Sequence, residues 1–222
     1  MPPRKPAQRH AVGRPIASDG AAARERLLDA TLSLIADQGV AATSIAQIAE
    51  RAGVTPAMVH YYFKNRELLF DALVAERLAT AIARVWSPVD LDTDPFEAVE
   101  GLVRRIAETA RAVPQIPSLW LREVISDGGQ LRQRVLRHLP TDKMQLLSEL
   151  IAQGQREGRI NPRLDTRYMF MSVVGLIMMP LAVSNVFTHI TGQSIDIDAL
   201  AEHAVSLLRN GMDTPRSPSR RS

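Results

Sequence analysis

Nowhere does the chain alternate apolar and polar residues with the period of two that a half-buried strand requires. Apolar residues recur instead every three or four positions, between glycine and proline stops. That patterning leaves little besides a set of packed α-helices. Ala, Leu and Arg dominate and aromatic residues make up only 5%, proportions that favour helix. The expected fold class is all-α.

The punctuation places the helices. The spacing predicts a first helix over 21–38, with Leu28, Leu32 and Ile35 on one stripe and Gly39 as its C-terminal stop. Thr43 reads as the N-cap of a second, carrying Ile45, Ile48, Ala49 and Ala52 and stopped by Gly53. Thr55-Pro56 opens a third through Phe63. Asn65 caps a fourth that runs to Trp86, its inner face including Leu68 and Leu69, and Pro88 ends it. Asp94-Pro95 opens a fifth to Val113. Further helices are expected over 118–126, 130–138 and 141–157. Asp165 caps a long apolar helix to about Ile190, kinked at Pro180, and Asp196 or Asp198 caps a last one ending at Gly211.

Composition excludes several chemistries. There is no cysteine, hence no disulfide, thiol nucleophile or Cys-ligated metal. The five histidines show no metal-ligand spacing, and neither a Gly-x-Ser-x-Gly elbow nor a phosphate-binding glycine loop occurs. No enzyme activity, metal or cofactor is expected. The charge is unevenly placed. Residues 1–20 and 209–222 each carry a net +3, which leaves the intervening 188 residues at −3. Basic ends on a slightly acidic body read as arms seeking a polyanion. The first ten residues are basic with no apolar core behind them, so a cytoplasmic location is expected.

One segment raises a membrane question. Tyr168–Phe187 is uncharged and about as long as a bilayer span. Ser172, Gly175, Pro180, Ser184 and Asn185 interrupt it, and its neighbours are amphipathic. A helix buried on every side, one face meeting a partner subunit, is the favoured reading; a membrane-anchored regulator is the alternative.

Function concentrates in residues 43–63, where two short helices flank Ala52-Gly53-Val54-Thr55 with helix-turn-helix spacing. Ile48, Ala49 and Val59 would fix the angle between them, and the start of the second would enter a major groove. Arg26-Leu27-Leu28-Asp29-Ala30, Gly39, Thr43-Ser44, Ile48-Ala49, Ala52-Gly53-Val54, Val59-His60-Tyr61-Tyr62-Phe63, Lys64 and Leu68 together resemble the TetR family of bacterial regulators. The resemblance covers about residues 21–70; the rest is similar in layout alone.

That resemblance implies a ligand-responsive DNA-binding regulator, most simply a repressor, with a basic arm over 1–20 and a helix-turn-helix head over 21–67. A linking helix leads into an effector-binding and dimerisation domain over 68–212, and a disordered tail follows over 213–222. Partners would be double-stranded DNA, a small effector and a second copy bound through the last two helices. Pro56, Ala57 and His60 fall at base-contact positions; Thr43, Ser44, Thr55, Tyr61, Tyr62 and Lys64 fall at phosphate-contact positions. His60-Tyr61-Tyr62-Phe63 departs from the Tyr-Tyr-His-Phe of many relatives, and Pro56 replaces a frequent basic residue. The guanine-reading fork is therefore absent. In the arm, Gly13-Arg14-Pro15 is similar to a minor-groove hook, with Arg14 entering a narrow A·T groove. For an apolar or aromatic effector the candidate residues are Trp120, Met171, Met178 and Asn185. Arg122 and Glu123 read either as ligand contacts or as solvated charges.

Overall fold

The computed structural model describes residues 17–87 and 93–214, and among these every regular element is helical. Helix α1, Ala17–Gln38, begins earlier than the spacing predicts and stops where expected, at Gly39 with φ 84. Its inner side buries Leu27, Leu28 and Ile35 completely. Helix α2, Ile45–Ala52, is capped by Ser44 rather than Thr43. Ser44 Oγ accepts from the Gln47 N–H while Gln47 Oε1 accepts from the Ser44 N–H, a reciprocal box that satisfies two exposed donors. Thr43 turns inward and its hydroxyl donates to the Gly39 carbonyl at 2.7 Å. Gly53, at φ 67, ends α2, and α3 follows as Pro56–Phe63.

The linking helix α4 spans 66–86 in three consecutive stretches: Arg66–Leu73, a π-helical turn at Val74–Leu78, and Ala79–Trp86. Asn65 caps it as expected, its side chain accepting from the Leu68 N–H. Leu68 itself is 44% exposed, so the inward face is carried by Leu69, Phe70 and Leu73 instead. Helix α5 is Pro95–Ala112, capped by the Asp94 carboxylate. Helix α6 spans 116–125, an α-turn at Ile116–Leu119 passing into a π-helical stretch at Trp120–Ile125. Helix α7 is Arg132–Leu136, α8 is Thr141–Arg156, and α9 is Thr166–Ala182. Helix α10 is Ser184–Thr191, and α11, capped by Asp196, is Ile197–Met212.

The expected single helix over 165–190 is thus two helices, α9 and α10, bent by 61°. Pro180 has no N–H for the Leu176 carbonyl, and Val183, at φ −106 and ψ 19, then leaves helical geometry. No single described helix is long and apolar enough to cross a membrane; only this bent pair reaches the length and composition together. Within one chain α9 buries a single stripe, Met169, Val173 and Ile177, and α10 buries nothing. The expected burial on every side assigns one face to a partner subunit, and in the single chain Tyr168, Met171, Met179, Phe187 and Ile190 all face outward.

Two apolar cores hold the molecule together. The first joins α1–α3 to the first half of α4, and it also takes in Ile116, Leu119, Val124, Leu131 and Val135 from α6 and its surroundings. The second is built on α5, which packs on α4, α8, α9 and α11 and buries Leu102, Val103 and Ile106. The expected division after residue 67 falls inside the first turn of α4.

Candidate nucleic-acid interface and effector cavity

The angle between α2 and α3 is set by side chains that water does not reach. Ile48 and Ala49 are fully buried, Val59 is 1% exposed and Phe63 4%. Arg24 lies over the Phe63 ring at 5.1 Å, which fixes the far end of α3 against α1. The opposite face of α3 is open. Pro56, Ala57, His60 and Tyr61 are exposed, Tyr61 by 80%, whereas Met58 and Tyr62 lie half-buried between the faces. Thr55 is exposed and makes no side-chain cap, so its hydroxyl is available at the positive end of the α3 dipole. Ser44 is also exposed, with its hydroxyl engaged in the α2 cap.

Lys64 has an unusual backbone. Its φ of 61 is the only positive value at a non-glycine among the described residues, and the Asn65 N–H donates to the Phe63 carbonyl at 2.7 Å across it. This is a γ-turn of the strained hand. It swings the chain from α3 into α4 within two residues and leaves the Lys64 ammonium outside. His60 Nδ1 lies 3.2 Å from the Lys64 carbonyl, which orients the imidazole toward the same end of the helix.

Of the expected DNA-facing residues, Thr55, Pro56, Ala57, His60, Tyr61 and Lys64 are all exposed on α3 or at its ends, and Ser44 is exposed at the start of α2. Thr43 is a correction: it is 2% exposed and its hydroxyl is spent on Gly39, so it presents no side-chain contact to a phosphate. Its carbonyl accepts from Arg66 at 2.9 Å, and the same guanidinium donates to the Val40 carbonyl. Arg14 lies outside the described residues.

A cavity opens where α4, α5, α6 and α9 meet. Ile82, Trp86, Trp120, Phe170 and Met178 are among its walls. Trp86 and Phe170 stack obliquely with ring centres 5.2 Å apart. A second, outer cleft shares Trp120, Phe170, Val174 and Met178 with the first and runs out past Met171 and Met179. Of the expected ligand residues, Trp120 and Met178 therefore line both spaces and Met171 only the outer one. Asn185 is a correction: the bend after Ala182 carries it to the exposed start of α10, where its Oδ1 accepts from the Val186 N–H.

Arg122 and Glu123 touch neither space. Arg122 donates to the Asp37 carbonyl at 3.0 Å. Glu123 is 5% exposed, its Oε1 accepting from the Val40 N–H at 2.9 Å and its Oε2 from the Gln130 N–H at 3.0 Å. A Cβ on Gly39 would lie 3.1 Å from that carboxylate, so glycine is needed there for close approach as well as for its φ. A second tie comes from α7, where Arg134 pairs with Asp71 at 2.6 Å and with Glu67, both on α4. Leu119 and Trp120 on α6, and Val135 on α7, are cavity walls. Each tie to the head therefore sits on a helix that also forms the cavity. Among the described residues no cluster of His, Asp and Glu could hold a metal ion.

Comparisons with known proteins agree with both halves of this arrangement. The sequence pattern of bacterial regulatory proteins of the tetR family matches residues 27–73, and that of the tetracyclin repressor-like C-terminal domain matches residues 95–209. The transcriptional regulator BetI of Rhizobium meliloti (strain 1021) is 33% identical over 128 residues, 58% of this chain and 62% of BetI, so the match spans less than two thirds of that relative. The transcriptional repressor KstR2 of Rhodococcus jostii (strain RHA1) is 23% identical over 194 residues, 87% of this chain and 93% of that one. The crystal structure of FadR from Bacillus subtilis in complex with stearoyl-CoA superposes with a TM-score of 0.60 at 21% identity, over 84% of this chain and 98% of that one. At that identity the likeness concerns the fold.

Proposed function

The chain belongs to the tetR family of bacterial regulatory proteins, and from that premise we propose that it is a dimeric transcriptional repressor released from its operator by a small apolar effector. The observation that carries this reading is the joint one: an open α3 face held by a buried core, tied through α6 and α7 to an apolar cavity. KstR2, by its name, is a repressor, and FadR was crystallised with stearoyl-CoA; both fit such a reading.

On DNA, Pro56, Ala57 and His60 meet base edges in the major groove. Thr55, Tyr61, Lys64 and Ser44 meet phosphates, and half-buried Tyr62 supports Tyr61 at a ring distance of 5.1 Å. The outward apolar residues of α9, α10 and α11 pair two chains, which sets the two α3 helices about 34–36 Å apart for successive major grooves. An effector bound in the cavity favours a conformer in which α6, α7 and α4 shift together and that separation is lost.

The test is fluorescence anisotropy on the DNA upstream of the chain's own gene, with random DNA as competitor at two salt concentrations. Salt-sensitive binding that resists random competitor is the expected result. His60→Ala should lower the preference for specific over random DNA. A preference unchanged by His60→Ala would remove His60 from base readout, and equal competition by random DNA would remove the specific-repressor reading for that site.

A further inference from the structure

The cavity is lined almost wholly by apolar side chains, and the one side-chain hydroxyl among them bears on what enters it. Among its described lining residues none is charged, and Thr109 on α5 is the single hydroxyl. Thr109 is 5% exposed, and its Oγ1 is buried without any hydrogen-bond partner. A helical threonine ordinarily turns its hydroxyl back onto the carbonyl four residues earlier; Thr31 in α1 does so, donating to Leu27 at 2.6 Å. Thr109 does not. A buried hydroxyl left unpaired costs free energy unless something else completes it.

Resting on the reading of this cavity as the effector site, we propose that Thr109 is the polar anchor for an uncharged, aromatic or hydrocarbon effector carrying one hydrogen-bonding oxygen, a ketone or an alcohol, at its buried end. The surrounding Trp86, Trp120 and Phe170 rings receive the apolar body. The outer cleft lies against the same Trp120, Phe170, Val174 and Met178 walls. A carboxylate or ammonium is rejected at the inner end, because no described lining residue carries a charge to receive it. The hydroxyl thus sets polarity and orientation, and the rings supply affinity.

The experiment uses three matched probes on the full chain: benzophenone, its carbonyl-free counterpart diphenylmethane, and charged diphenylacetate, each titrated by calorimetry. Benzophenone should bind about fivefold more tightly than diphenylmethane, the worth of one hydrogen bond, and diphenylacetate most weakly. Thr109→Val should erase the difference, leaving diphenylmethane affinity unchanged, and Thr109→Ser should restore it. Free of an unpaired hydroxyl, Thr109→Val should also melt higher, by about 2–4 °C. Four results overturn the proposal: no preference for benzophenone, tightest binding of diphenylacetate, failure of every probe to bind, or a lower melting point for Thr109→Val. DNA release is read separately. Benzophenone binding with the Thr109 dependence but without release from DNA would leave the anchor standing and remove the regulatory reading.

Discussion

Lys64 carries a side chain on a backbone conformation that only glycine adopts without cost. A non-glycine at its φ and ψ stores about 1–3 kcal/mol, and glycine there would relieve this at the expense of about 0.5–1 kcal/mol of added chain entropy. Lys64→Gly should therefore unfold in urea with about 1 kcal/mol more stability than Lys64→Ala, which keeps the strain. Both should bind specific and random DNA more weakly, with the salt dependence reduced by about one phosphate contact. A glycine variant less stable than the alanine variant would show that the γ-turn carries no strain. Other single residues were legible in the sequence only in part. Ser44 and Thr43 are both good caps, and the choice between them turned on Gln47, three residues after Ser44 but four after Thr43. Asn185 looked like a ligand contact only while its helix was expected to continue past the Pro180 kink rather than break at Val183. The unpaired hydroxyl of Thr109 leaves no sequence signal, since a threonine among apolar residues reads the same with or without a partner.

Among elements, helix starts and stops were the most legible, because caps, prolines and glycines act over a few residues. The π-helical turns at Val74–Leu78 and Trp120–Ile125 were not, since the apolar period does not specify which carbonyl each N–H chooses. Both fall where helices connect head and body. The turn in α4 also presents Glu76 to Arg24 and Arg77 to Glu25 and Asp29, pinning α4 to α1. The hydrogen bond from Arg24 holds the Glu76 carboxyl below its ordinary range. The stability it lends is present above the usual carboxylate value and is lost as pH falls through the lower folded value. Arg24→Gln should accordingly flatten the acid limb of Tm against pH; an unchanged limb would exclude this pair from it. The turn in α6 delivers Glu123 to Val40. Glu123→Ala strands the buried Val40 N–H and leaves the Gln130 N–H, on an exposed residue, to water, and stability should fall by about 1–3 kcal/mol, as measured by urea unfolding. Glu123→Gln, which keeps one acceptor and turns an amide N–H toward the other donor, should lose less. A loss below about 1 kcal/mol for alanine would mean that water replaces the carboxylate readily.

For the whole molecule, the open question of packing is the outward side of α9 and α11. A groove between them runs past Ser172, Gly175 and Leu207 to Gly211, and Leu207 is 48% exposed. Small residues on an apolar helix face let another backbone approach closely, and a lone chain has no use for them there. A Cβ added at Gly175 or Gly211 would meet nothing within 4 Å in the single chain, so the fold of one subunit tolerates a larger side chain at either place. Pairing through this face makes that tolerance conditional on oligomeric state. Gly175→Ala should gain up to about 1 kcal/mol from helix propensity if the face is solvated, and it should change nothing in sedimentation. Gly175→Glu puts a charge into the groove, and with the face paired it should give a folded monomer, its circular dichroism unaltered and its sedimentation coefficient that of a single chain. Operator affinity should then fall far more than affinity for random DNA, because one head forfeits the second half-site while keeping its phosphate contacts. A Gly175→Glu protein that remains dimeric would place the subunit contact elsewhere, and the exposed apolar residues of α10, Phe187 and Ile190, would be the next face to charge.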